Sequence, residues 1–189
     1  MKVVIIGGVA GGASCAARLR RLDGEREIII LERGEYISYA NCGLPYHVGD
    51  VIRSRNALLL MTPEMMRDRF NIDVRVKNEV TSIDREAKTV SVTNLATGES
   101  YTEGYDDLVI ATGSSPLRPR IPGIESERIR TLWTVPDTDG IRAMIRDGGI
   151  KTAAVIGGGF LGLGKAGNPH PAGLRGSPLR ARARGVGSS

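Results

Sequence analysis

Cysteine and histidine are scarce in this chain, two of each in 189 residues, and aromatic side chains make up only 4%. Two thiols cannot build a disulfide scaffold, so the sequence reads as a protein of the reducing cytoplasm that folds on an apolar core. Long apolar runs are missing as well. None approaches the ~18 residues of a membrane-spanning helix, and no membrane association is expected. Acids are absent from the C-terminal stretch, where Lys165, Arg175, Arg180, Arg182 and Arg184 stand unopposed, whereas Met1 to Gly162 carries 21 bases and 21 acids. The net charge of +5 therefore belongs to the tail and argues for no nucleic-acid-binding surface on the body. The start "MKVVIIGGVAGGASCAA" lacks what a secretory leader needs. Its basic flank is a single lysine, and Gly7, Gly8, Gly11 and Gly12 interrupt the apolar run.

What is present is an ordinary globular balance of 41% hydrophobic and 25% charged residues. "KVVII" (2–6) and "EIIILE" (27–32) are short β-branched runs, the pattern of strands buried on both faces. Between them a glycine-rich turn opens into "ASCAARLRRL", whose Ala, Leu and Arg favour helix. Strand, turn, helix and strand within about 30 residues form a βαβ unit, which predicts an α/β fold with a parallel sheet. "TPEMMRDRF" (62–70) predicts a short helix with Thr62 as N-cap and Pro63 at its first position. "NIDVRV", "NEVTSIDREAKTVSVTN" and "ESYTEGYDDLVIAT" alternate with turn signals; they predict an antiparallel β-meander ending in a further buried strand, "DLVIA". "GSSPLRPRIPGI" (113–124) is a Pro/Gly-rich connector. Beyond it, "VPDTDGIRAMIRDGG" (135–149) predicts a helix and "TAAVI" (152–156) another buried strand.

Two glycine turns invite a dinucleotide. A pyrophosphate is held by backbone N–H groups at the positive end of a helix, which demands a turn free of side chains. In G-x-G-x-x-G the first glycine makes the turn, the second admits phosphate, and the third lets helix and strand pack. The first turn, Gly7, Gly8, Val9, Ala10, Gly11 and Gly12, has valine at the second motif position, but Gly8 and Gly11 keep the loop bare. Glu32 ends the second strand 20 residues after Gly12, where an acid accepts hydrogen bonds from ribose hydroxyls. The second turn, Gly157, Gly159 and Gly162, matches the motif in full. The six glycines and three prolines that follow it nevertheless forbid its helix. About 20 residues on, where an acid is expected, stands Arg182, with no second strand to carry it. The second turn is half a site.

The two cysteines differ in setting. Cys15 lies among alanines on the predicted first helix and reads as a packed thiol. Cys42, in "SYANCGLPYHVGD" (38–50), precedes a proline tolerated only near a helix start, so Asn41 or Cys42 is placed to cap a short helix. A sulfur at a helix N-terminus is favoured as its anion. On these residues alone, a structural thiol and a redox thiolate fit equally well. Arg18 and Arg21, three apart on one helix face, are either a solvated surface or a grip on phosphates. His47 reads as a surface histidine in a loop, with a proton donor as the alternative.

Together, "VIIGGVAGGASCAARLRRL", "ERGEYISYANCGLPYHVGD", "YDDLVIATGSSP", "IPGI" and "VIGGGFLG" resemble the FAD-dependent pyridine nucleotide–disulfide oxidoreductases. The nearest branch is the single-cysteine one, that of coenzyme A disulfide reductases with related NADH oxidases and persulfide reductases. The resemblance runs from Met1 to about Gly162 and implies a Rossmann-like FAD-binding domain with its meander over 1–117. It further implies the truncated start of a second Rossmann domain, for NAD(P)H, over 118–163. The Arg/Gly/Pro-rich tail over 164–189 is expected to be disordered. By position, the first glycine turn and Glu32 would hold FAD, Thr112 and Gly113 would lie near its flavin side, and the second turn would receive NAD(P)H. Cys42 would be the redox cysteine, and Ser14, Arg18, Arg21, Ser38 and Asn41 would contact coenzyme A. Double-cysteine members use thiols five positions apart. Position 47 here is His47, so Cys42 would cycle through a mixed disulfide with an outside thiol or through a sulfenic acid.

The implied function is a flavoprotein that passes electrons from NAD(P)H through FAD to coenzyme A disulfide, with no metal. The alternative is an oxidase or peroxidase using the sulfenic acid. Longer relatives are homodimers. Because family members are far longer, a truncated, non-catalytic nucleotide-binding fragment is the rival from another class. For this chain itself at best weak FAD retention and little turnover are expected, and in the fragment reading the tail is out-of-frame translation of a GC-rich gene.

Overall fold

The apolar runs of the sequence become the centre of a parallel sheet. The computed structural model describes residues 1–147, 150, 152–156 and 175–179. In chain order its elements begin with β1 (Lys2–Ile6), α1 (Ala10–Leu22), β2 (Glu27–Glu32), α2 (Leu44–Val48) and α3 (Pro63–Phe70). There follow β3 (Asp73–Val76), β4 (Asn78–Asp84), β5 (Thr89–Asn94), β6 (Ser100–Gly104), β7 (Asp107–Ile110), α4 (Val135–Asp147), β8 (Thr152–Ile156) and β9 (Arg175–Leu179). Two units emerge. One joins Met1–Tyr39 to Leu59–Ser115, the other Ala40–Leu58 to Pro116–Ser189.

In the first unit the sheet order is β3-β2-β1-β7, all parallel. Alternating side chains explain why β1 and β2 are apolar throughout. Val3, Ile5, Ile28 and Ile30 pack with Ala13 and Ala16 of α1 and with Met66 of α3. Val4, Ile6, Ile29 and Leu31 point the other way, against Val90 and Val92 of β5. Each such side chain contributes about 1.5–3 kcal/mol by leaving water. The second face is covered by the antiparallel meander β4-β5-β6. The Thr62 hydroxyl accepts the Met65 N–H at 3.3 Å and starts α3 as its sequence predicts, while left-handed Asn71 ends it.

"NIDVRV" requires correction. Its strand, β3, does not open the meander but pairs in parallel with β2, from Ile29↔Asp73 to Glu32↔Val76. Its alternation reflects an edge position in the parallel sheet, and local pattern does not separate that from a meander strand. "DLVIA" also ends less buried than expected, for Leu108 and Val109 are half-buried and Ile110 is 64% exposed.

In the second unit, a 3₁₀ turn at Asn41–Gly43 leads directly into α2, which spans only five residues. No helix or strand interrupts 116–134. Thr134 then begins α4 with a reciprocal cap: its hydroxyl accepts the Asp137 N–H at 3.3 Å, and its own N–H donates to the Asp137 carboxylate at 2.8 Å. β8 forms where "TAAVI" predicts, but with alternating exposure, Ile156 at 68%. The expectation that the tail holds no second strand is overturned, because β9 pairs in parallel with β8, from Thr152↔Arg175 to Ile156↔Leu179. Gly176 and Pro178 lower strand propensity, yet an edge strand tolerates a missing N–H. The second glycine turn, Gly157, Gly159 and Gly162, and the rest of the tail lie outside the described residues.

Candidate functional site

β1 is flanked by β2 on one side and β7 on the other, so the strand order reverses at its C-terminal end. Open parallel sheets bind ligands in the crevice at such a reversal. The first glycine turn occupies that place. Gly7 is left-handed (φ 99°), and a Cβ on it would stand 2.3 Å from the Ala111 carbonyl oxygen at the end of β7. A Cβ on Gly12 would stand 1.8 Å from the Gly7 carbonyl oxygen. First and third motif positions therefore admit only glycine. Gly11 differs, since its Cβ would meet only Ala111 Cβ at 3.7 Å, an ordinary contact. Val9 caps α1 without a side-chain bond, and no acid sits in the first turn, which leaves N–H groups from Ala10 onward open to an anion.

Glu32 closes the turn from the side. It is 8% exposed; its two carboxylate oxygens accept the Gly8 and Gly34 N–H groups, both at 2.7 Å. Each oxygen keeps a lone pair for a ligand hydroxyl. Gly7, Glu32, Arg33, Glu79, Thr112 and Gly113 share one cleft of about 290 Å³. A bare turn, an open helix start and a hydrogen-bonded acid suit a dinucleotide, and the residues fit FAD's ADP half. Arg33, Glu79 and the cleft's Ser115 escaped the sequence reading. The signal that finds them is tertiary: strand order sets the ends of β2 and β7 on either side of β1, and the meander packed on that face brings the start of β4 to them.

The residues predicted to meet coenzyme A divide. Ser14, Arg18 and Arg21 are exposed on α1 at helical spacing, and among the described residues neither arginine makes a hydrogen bond or ion pair. Between them in sequence, Arg20 does the opposite. It donates to the carbonyls of Phe70 (2.7 Å), Asn71 (2.7 Å) and Gly24 (2.6 Å), pinning α1 to the end of α3. Ser38 is left-handed (φ 44°), and its N–H bonds the Gly8 carbonyl at 3.0 Å.

Asn41 and Cys42 lie in the other unit, both exposed. Neither caps α2, whose cap is Gly43 and has no side-chain bond. The tight 3₁₀ turn places them one step before the helix instead. Cys15, by contrast, packs half-buried against the core, as its alanine neighbours predict. His47 is corrected most strongly. It is a helical residue 3% exposed, with Nδ1 2.5 Å from the Ile52 carbonyl oxygen, because α2 turns its ring inward.

With this geometry in hand, the comparisons are specific. The model of the pyridine nucleotide-disulphide oxidoreductase family matches residues 1–180. A coenzyme A disulfide reductase of Staphylococcus aureus is 41% identical over 173 residues, 92% of this chain and 39% of that protein. Reduced Bacillus anthracis CoADR-RHD superposes with a TM-score of 0.93 at 51% identity, over 95% of this chain and 32% of its own. An NAD-dependent persulfide reductase from A. fulgidus follows with a TM-score of 0.89 at 37% identity, over 94% and 34%. The chain thus spans about two fifths of the length of the curated relatives it matches. Family members are FAD-dependent NAD(P)H oxidoreductases.

Proposed function

Since the chain belongs to the pyridine nucleotide-disulphide oxidoreductase family, we propose that it is the dinucleotide- and thiol-bearing part of a reductase acting on coenzyme A disulfide. The observation that carries this is the side-chain-free turn fixed by Gly7 and Gly12 in the first unit; Cys42, the exposed one of the two cysteines, supports it from the second. FAD, when bound, supplies two-electron transfer between NAD(P)H and a disulfide. This chain's residues do the rest. Gly7, Gly8 and the first turn of α1 would receive the pyrophosphate, Glu32 the ribose hydroxyls, and Thr112 and Gly113 the flavin side. NAD(P)H would enter at Gly157–Gly162.

Cys42 attacks one sulfur of the disulfide as a thiolate. The S–S bond breaks, one coenzyme A thiolate leaves, and a mixed disulfide forms on Cys42. Two electrons and a proton then release the second coenzyme A thiol. Arg18 and Arg21, free of partners within the described residues, are available for its phosphates. A persulfide is the competing substrate, because the same exposed sulfur serves either chemistry. The domain limits at 117 and 163, a cytoplasmic setting and a dimer belong to this proposal too.

The test is to purify the chain, titrate it with FAD by flavin fluorescence, and follow thiol release from coenzyme A disulfide with NADH or NADPH. Flavin quenching with one coenzyme A released per Cys42 in the absence of reductant supports the reading. No quenching at a hundredfold excess of FAD would sink it.

A further inference from the structure

The stretch bearing Cys42 has little of its own to hold it. α2 is five residues long, too short to persist alone. Around it Ala40–Leu58 is built of 3₁₀ turns at Asn41–Gly43 and Arg55–Leu58 and of irregular chain, with Gly43, Leu44, His47, Val48, Gly49 and Leu58 buried. Two charged contacts tie it to α4, and they run in opposite directions. Arg55 grips Asp139 through a fork, its Nε 2.9 and 3.0 Å from the two carboxylate oxygens and its Nη2 2.8 Å from one of them. Arg142 of α4 answers from the other side. It pairs with Asp50 at 2.7 Å and donates to the His47 carbonyl, at the end of α2. Left-handed Asp50 (φ 59°) sends its own N–H to that same carbonyl at 3.2 Å, so Arg142 closes the turn that terminates the helix. α4 itself is anchored by its reciprocal cap and by fully buried Val135 and Thr138.

We propose that Asp139 and Arg142 are positioning residues for Cys42. From one rigid helix they fix both the far end of Ala40–Leu58 and the C-terminal turn of α2, and so present the sulfur in one orientation. Partly exposed ion pairs add little to global stability, but a bidentate fork fixes geometry. Thiolate attack on a disulfide must run along the S–S axis, so it depends on that geometry, whereas a small alkylating reagent reaches the sulfur from many directions. The inference rests on the reading of Cys42 as the thiol that takes up coenzyme A.

The experiment compares two rates at Cys42 on the full chain, coenzyme A release from its disulfide and alkylation by iodoacetamide, each read by mass spectrometry. Asp139→Asn and Arg142→Met are expected to slow coenzyme A release at least ~10-fold while alkylation stays level or rises. The charge exchange Arg55→Asp with Asp139→Arg is expected to recover most of the loss. Amide exchange in β1 and β2 should match the wild type in every variant, and exchange in Ala40–Leu58 should rise in the two single variants. Equal coenzyme A rates, a parallel loss with both reagents, or unchanged exchange in Ala40–Leu58 overturns the positioning role alone. No transfer to Cys42 in the wild type overturns the functional reading and this inference with it.

Discussion

At Gly7 and Gly12, backbone presses on backbone: side-chain carbons there would stand 2.3 and 1.8 Å from carbonyl oxygens. Cys42 itself is exposed, and the segment that carries it meets α4 through ion pairs between side chains, Arg55 with Asp139 and Asp50 with Arg142. The first arrangement belongs to the packed core and is set when the sheet forms. The second depends on a few partly solvated charges. The comparison teaches that the two regions owe their geometry to different forces, backbone packing at the glycine turn and partly exposed charges beside Cys42.

The largest effect should come at the tight turn. Gly12→Ala forces the Gly7 carbonyl aside and is expected to cost more than about 3 kcal/mol, within the range of severe core lesions, and to abolish FAD retention. Gly11→Ala, one residue away, has room for its methyl and should leave stability within about 1 kcal/mol, because alanine favours helix. Urea denaturation of the pair reads the contrast, and equal losses would break it.

Next come the arginines of "RLRRL". Arg20→Ala removes bonds to four carbonyls beyond α1 and should cost about 1.5–3 kcal/mol. Arg18→Ala and Arg21→Ala should each stay within about 0.5 kcal/mol yet weaken coenzyme A binding, measured by calorimetry. A stability loss at Arg18 equal to that at Arg20 would show that the surface face has been misread.

A smaller effect is expected from the charges that bind β1 and β3 to the meander. Burial alone would push Glu103 up, but hydrogen bonds from Lys2 (2.8 Å) and Arg75 (2.6 Å) hold it below the usual carboxylate range. A depressed acid stabilises the fold above its unfolded value, and that contribution fades as pH falls through the folded one. The Glu103 hydrogen bond raises Lys2, whose contribution is present below its unfolded value and is lost as pH rises past the folded one. Thermal melts should therefore be flat from about pH 5 to pH 9 and fall outside it. In Glu103→Gln the acid-side fall should be shallower.

The sequence discloses what is local. The continuous burial of β1 and β2, the glycine turn with Glu32 at the end of the next strand and the Thr62 cap are all legible within short stretches of chain. What it hides depends on distant partners. Arg20 looks like Arg18 until the end of α3 is placed beside it, and Arg33 and Glu79 meet at the cleft only through the packing of the meander on the parallel sheet. β3 alternates like a meander strand, though it pairs with β2. The inward turn of His47 needs the packing of α2, which no short-range pattern announces.

Cys15 and Cys42 give the most direct test. The chain is incubated with coenzyme A disulfide, digested without reductant and mapped for the coenzyme A adduct. The account predicts one adduct, on Cys42, with none in Cys42→Ser and no change in the fold of that variant. An adduct carried by Cys15, or an unmodified Cys42 under saturating disulfide, would contradict it.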